Sequence, residues 1–146
     1  MSKSIHEFIE NRFKNATGQA VNPGNMKDAK KFAQELGSFL AALHKLDTTD
    51  APLPNVDNGF IGSDLLLFEA EFDDLLLKND KLVPAEFLHE KFDKAAKKPW
   101  TADKVWVHGS FLPKNILVTT DGKLANIVST DKAVIADPYV KKQPEA

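Results

Sequence analysis

The chain has 146 residues, enough for one domain with a continuous core, and its 42% apolar and 27% charged residues are ordinary for a globular protein. Its 19 Lys and Arg against 21 Asp and Glu leave a formal charge of −2, so no strong field exists to gather nucleic acid or an anionic membrane surface, and neither partner is expected. The absence of cysteine rules out a disulfide framework and thiolate chemistry, which suits a reducing, cytoplasmic setting.

The start, Met1-Ser2-Lys3-Ser4-Ile5-His6-Glu7, carries no apolar stretch of the secretory kind. The longest aliphatic runs, Leu65 to Leu67 and Leu75 to Leu77, are three residues, where a bilayer span needs about 20. Residues 4 to 16 admit two readings. Ser4-x-x-Glu7 is a capping-box signature ahead of Ile5, Phe8, Ile9 and Phe13 at helical spacing; the alternative is an extended segment from Phe8 to Phe13. From Met26 to Lys45 the apolar positions Met26, Ala29, Phe32, Leu36, Phe39, Leu40 and Leu43 recur three and four apart, which predicts a helix. Asn25 is its expected cap, after a Pro23-Gly24 turn, with Asp28 adding favourable charge in the first turn. Asp47 to Gly59, rich in Pro, Asp, Asn and Thr, reads as a loop.

A second helix is expected from Asp64 to Lys78, capped by Ser63, with Leu65, Phe68, Phe72, Leu75 and Leu76 as its buried stripe. A third fits Pro84 to Lys97, with Phe87, Leu88, Phe92 and Ala95 facing inward. After Trp100 the pattern turns to β. Val105-Trp106-Val107 is one short strand; Ile116 to Thr120 and Lys123 to Val128 flank Asp121-Gly122, a hairpin signal. Val134-Ile135 is one more short strand before Asp137-Pro138. Helices first and a small β-element after them make the expected fold class α+β. The expected organisation is a single domain over 1–146, with 1–24 a hinge-like or helical segment and 139–146 a tail.

Smaller constellations carry less. His6/Glu10 and His89/Asp93 sit four apart and read as helix-surface pairs rather than as metal sites. His44 ends an apolar helix face and reads as a packing residue. Trp100, Trp106 and the ten Phe residues read as core and are not interleaved with Lys and Arg as a nucleic-acid platform requires. No H-E-x-x-H or G-x-S-x-G occurs, so metalloprotease and hydrolase readings lack support.

The richest stretch is Val105-Trp106-Val107-His108-Gly109-Ser110-Phe111-Leu112-Pro113-Lys114-Asn115-Ile116-Leu117-Val118. A strand, a His-Gly-x loop, an Asn five residues after x and a hairpin resemble the catalytic loop of aminoglycoside phosphotransferases and choline kinases, enzymes of protein-kinase-like fold, whose motif reads H-G-D-x-x-x-x-N. Leu36-Gly37-x-x-Leu40-Ala41-x-Leu43-His44 resembles that family's helix ending in Leu-His. Leu124 to Thr130, then Asp137-Pro138, resembles its L-x-G-[VI]-I-D-W and G-D-P segments. Three blocks in the family's order weigh against coincidence within an unrelated α+β domain.

The resemblance implies a fold, and the departures from it imply a loss. The family's Asp that orients and deprotonates the acceptor is Ser110 here, and its magnesium-holding Asp is Ser129. Asn115, the family's other metal ligand, is kept, as is the motif's His108, which supports the loop. A neutral hydroxyl is no base at neutral pH and a poor ligand for a hard dication. Asp131, two residues from Ser129, would share its face only if that segment is extended. The family's ATP-binding lobe has no counterpart before the Leu-His helix, and no G-x-G-x-x-G or G-x-x-x-x-G-K-[ST] is present. On the hinge reading, Phe8 to Phe13 would lie where adenine docks in the family. The expectation is a catalytically inactive, truncated phosphotransferase-like domain, a pseudokinase or C-terminal-lobe fragment, acting as a binding or scaffold module and needing no cofactor. A homodimer or a partner chain would cover the surface of the missing lobe. The alternative is an ATP- and Mg²⁺-dependent phosphotransferase of aminoglycosides, macrolides or choline-type alcohols, active only with a partner chain that supplies the nucleotide lobe.

Overall fold

A computed structural model describes residues 3–138, and the tail at 139–146 lies outside the described residues. The fold is α+β, with four α-helices and two small antiparallel sheets. The chain forms two compact units, one of Met1–Gly62 with Lys104–Ala146, the other of Ser63–Asp103.

In the larger unit, helix α1 (Lys3–Phe13) settles the two readings of the N-terminal segment: it is helical, and Phe8 to Phe13 is not extended. It begins at Lys3, before the Ser4 expected to cap it. Ile5 and Ile9, one turn apart, are buried against α2 (Ala29–His44) and so fix the helix by tertiary packing. Helix α2 starts three residues later than its periodicity predicts. Asp28 is the cap, its carboxylate accepting the Lys31 N–H at 3.1 Å. Asn25 instead closes a turn with Asn22, whose Oδ1 accepts the Gly24 and Asn25 N–H groups. The buried face of α2 is Phe32, Phe39 and Leu43, and each such side chain contributes roughly 1.5–3 kcal/mol when removed from water.

The sheets complete this core. Strand β1 (Gln19–Ala20) pairs antiparallel with β3 (Ile116–Val118), which pairs with β4 (Leu124–Ile127). The β3–β4 hairpin turns at Gly122, whose φ of +83° favours glycine. Strand β2 (Val105–Val107) pairs antiparallel with β5 (Val134–Ala136) as a separate ribbon. Strand β1, too short to show in the sequence, lies close on its neighbour: a Cβ at Gly18 would stand 2.5 Å from the Val118 carbonyl oxygen. Trp106, fully buried, meets Phe39, Leu43 and Ile127, and its indole N–H donates to the Asp47 carbonyl at 2.8 Å. That bond spares the cost, about 1–3 kcal/mol, of an unpaired buried donor.

The smaller unit has a 3-10 turn at Leu65–Phe68, capped by Asp64 rather than Ser63, then helices α3 (Glu69–Lys78) and α4 (Ala85–Ala96). Phe72 stacks on Phe92 with ring centroids 4.5 Å apart. His89 lies 3.3 Å from both Asp73 and Asp93, so the expected His89/Asp93 pair gains a second carboxylate. The expected buried stripe is not buried. None of the residues of these three helices reaches full burial; Leu75 and Phe87, read as inward-facing, are 51% and 55% exposed. Among the described residues, no helix is long and apolar enough to cross a membrane.

Candidate functional site

The loop after β2 is held by its own backbone and by one ring. His108 is buried, and its Nδ1 accepts the Ser110 N–H at 3.1 Å while its Nε2 lies 2.8 Å from the Val128 carbonyl. An N–H can only donate and a carbonyl can only accept, so the ring is the neutral Nε2–H tautomer. Burial pushes the His108 pKa below its usual value, against the opposing pull of the Val128 carbonyl and the charge of Asp131. Both ring nitrogens are thereby engaged.

The next residues close on the Ser110 carbonyl, which accepts the Leu112 N–H and the Asn115 side-chain Nδ2–H, each at 2.8 Å. Pro113 opens a 3-10 turn over Pro113–Asn115, and Asn115 is buried. The Val128 N–H donates to the Asn115 carbonyl at 2.9 Å. Val128 is therefore sewn to the loop through both of its backbone groups, one to His108 and one to Asn115. Phe111 anchors the loop from outside, its ring parallel to Phe39 of α2 at 6.5 Å and edge-on to His108 at 5.9 Å.

Gly109 makes this approach possible. Its φ is +84°, and a Cβ there would fall on the Lys132 carbonyl oxygen. The loop thus lies directly on the 3-10 turn Thr130–Lys132. The glycine of His-Gly-x is a residue that the motif displays but that reasoning from side-chain chemistry passes over.

Ser129 caps that turn with φ +65° and ψ +68°, a left-handed conformation unusual for serine, and its side chain makes no capping hydrogen bond. It is exposed, whereas Ser110 is half-buried. Asp131 is exposed inside the 3-10 turn rather than on an extended strand, so the alternation that would set it on the face of Ser129 does not exist. The structure thus joins His108, Ser110 and Asn115 in one hydrogen-bonded loop and brings the segment leading to Ser129 against it. His6 and Glu10 form their expected pair at 3.8 Å on α1. Beside Ser129 is a cavity of about 310 Å³ lined by α1 residues including His6 and Glu10 and by Asn126 to Asp131. Among the described residues, no three His, Cys, Asp or Glu side chains gather as a metal site.

Among solved structures, the chain is similar to a macrolide 2'-phosphotransferase type I, with a TM-score of 0.55 and 17% identity over 86% of this chain. At that identity the likeness concerns the fold. The chain spans less than half of that structure, 44% of its length. No curated protein matches the sequence. The model of the phosphotransferase enzyme family, APH, matches residues 12–140, which include the helix ending in Leu43-His44, the His108 loop and the Ser129 segment. The chain belongs to this phosphotransferase family, with an aminoglycoside-phosphotransferase-like, kinase-type α+β fold.

Proposed function

We propose that this chain is a non-catalytic member of its family that works as a binding or scaffold module. The observation that carries the proposal is the donor set at the loop. Phosphoryl transfer needs a group to orient and deprotonate the acceptor, and charge to neutralise the phosphates. At the two positions that matter stand hydroxyls, Ser110 and Ser129, and Asn115 turns its amide N–H to the Ser110 carbonyl. Magnesium prefers carboxylate and phosphate oxygens in near-octahedral array, and one amide oxygen with one hydroxyl does not fit it. His108 offers no base either, because both ring nitrogens are engaged. We assign it to holding the loop.

The apolar surface of the Ser63–Asp103 unit supports the binding role. Leu66, Leu67, Leu77 and Leu82, all in this unit, are each more than half exposed, and exposed apolar side chains are the material from which an interaction site is built. A second copy of the chain or a partner chain is the proposed occupant, in the cytoplasm. Isothermal titration with Mg-ATP tests the central claim: no heat above dilution is expected, and micromolar binding would sink it.

The second reading is a small-molecule phosphotransferase that acts with a partner chain carrying the nucleotide-binding half. It is favoured by the fully formed His108–Val128–Asn115 scaffold, which is spared although its carboxylates are not. That reading requires ATP- and Mg²⁺-dependent phosphorylation of an aminoglycoside, macrolide or choline-type alcohol once the partner is added.

A further inference from the structure

We infer that the groove between the end of α1 and the polar face of α2 is a binding site for a small organic oxyanion, a phosphate ester or a carboxylate on an apolar group. The groove has a volume of about 570 Å³, within the range of small-molecule sites. The inference is independent of the reading of the His108 loop.

Its first support is the arginine. Among the 19 basic residues Arg12 is the single Arg, and it lines this groove with Lys31. Arginine's planar fork of five N–H donors suits bidentate recognition of carboxylate and phosphate, which lysine cannot match. One of those donors binds the Ser38 Oγ at 3.0 Å. That bond orients the guanidinium on the groove wall and leaves its other donors for a ligand.

Charge is the second support. Among the described residues neither Arg12 nor Lys31 has a carboxylate at ion-pair distance, whereas Lys78, Lys94 and Lys123 are paired with Asp74, Glu90 and Asp121. The groove's own carboxylate, Glu35, is turned to the hairpin, where its Oε2 accepts the Leu124 N–H at 3.2 Å. Two cations and one carboxylate thus line the cleft, which leaves it a net positive charge, and the hairpin holds an oxygen of that carboxylate. The third support is the wall chemistry: Phe13 and Leu124 offer apolar surface, and Gln34 adds an amide beside the cations. The 310 Å³ cavity beside Ser129, lined by Glu10 and Asp131, has the opposite character and serves as an internal control.

The test is an amide-resolved NMR titration of the full chain with phenyl phosphate, benzoate and benzyl alcohol. Shifts should cluster at Arg12, Phe13, Gln34, Ser38 and Leu124. Benzyl alcohol, which carries no charge for the guanidinium and the ammonium to meet, should bind at least about tenfold more weakly than the better anion. Tighter binding of phenyl phosphate than of benzoate assigns the site to phosphate esters, and the reverse order to carboxylates. Arg12→Gln should weaken the anion about tenfold or more, and Lys31→Gln about threefold, both with unchanged circular dichroism. If Arg12→Gln perturbs the fold, Lys31→Gln carries the test alone. No saturable shift up to about 10 mM anion, an unchanged Kd in the charge-removing variant, or shifts centred on His6 and Asn126 would overturn the site.

Discussion

The two units of this molecule carry similar sequence patterns and come to different ends. In α2, residues three and four apart are apolar and the face they make is buried at Phe32, Phe39 and Leu43. In α3 the same spacing occurs, and no side chain of it is buried. The difference lies in what each stripe meets. The face of α2 meets α1, β2 and β4, brought from both ends of the sequence. Within residues 63–103, the apolar side chains of α3 meet α4, chiefly through Phe72 on Phe92. Periodicity names the residues that share a face; it does not say that anything covers that face. A helix pair with little covering it draws small stability from burial.

The comparison predicts where damage is felt. Gly109→Ala should have the largest effect, because a Cβ would fall on a backbone carbonyl that cannot swing aside and φ +84° resists any L-residue. A loss of about 3 kcal/mol or more in the unfolding free energy, measured by urea titration, is expected. Phe87→Ala, at a half-exposed position on α4, should cost less than about 1 kcal/mol. Equal losses for the two would erase the distinction between the units.

The larger unit was the more legible of the two, for a physical reason. Its signals are local and mutually consistent: Asp121-Gly122 between β-prone runs, Val134-Ile135, and the His108 loop ahead of a hairpin all form as read. What escaped were choices made by neighbours. Residues 4 to 16 carry both helical spacing and a hinge-like resemblance, and the burial of Ile5 and Ile9 against Phe39 and Leu43 decides for helix. The start of α2 moved to Ala29 because Asp28 competes with Asn25 as cap, and Asn25 is held in a turn by Asn22. At the candidate site, the residue types at 108, 110, 115 and 129 could be read directly. The stitching of Val128 to His108 and Asn115 could not, because backbone partners far apart in sequence leave no mark on composition.

His108 offers a smaller and more specific test of the larger unit. Its folded-state pKa lies below the ordinary histidine value of about 6.5, burial being the main cause. The folded state therefore binds fewer protons than the unfolded state between those two values. The contribution is fully present above about pH 6.5 and is lost as pH falls from there towards the folded pKa. The unfolding free energy from urea titration should drop between about pH 7.5 and 5.5 with a slope of no more than about 1.4 kcal/mol per pH unit for this single group. In His108→Gln that part of the slope should vanish, at a lower overall stability. A variant with an unchanged pH profile would mean that other groups carry the dependence.

The smallest expected effect on stability comes with the largest expected effect on association. Leu66, Leu77 and Leu82 are 56%, 76% and 82% exposed, so changing all three to Gln removes little buried surface, and Gln keeps helix propensity close to that of Leu. Each change should alter the unfolding free energy by about 0.5 kcal/mol or less. If this surface is where the chain meets a second copy, sedimentation velocity should show the concentration-dependent association of the parent chain abolished in the triple variant. A parent chain that stays monomeric at every concentration would remove the second copy and leave a different partner as the occupant. A loss of more than about 2 kcal/mol in the triple variant would instead mean that these leucines are covered within the chain itself, and the contrast between the two units would fail at its base.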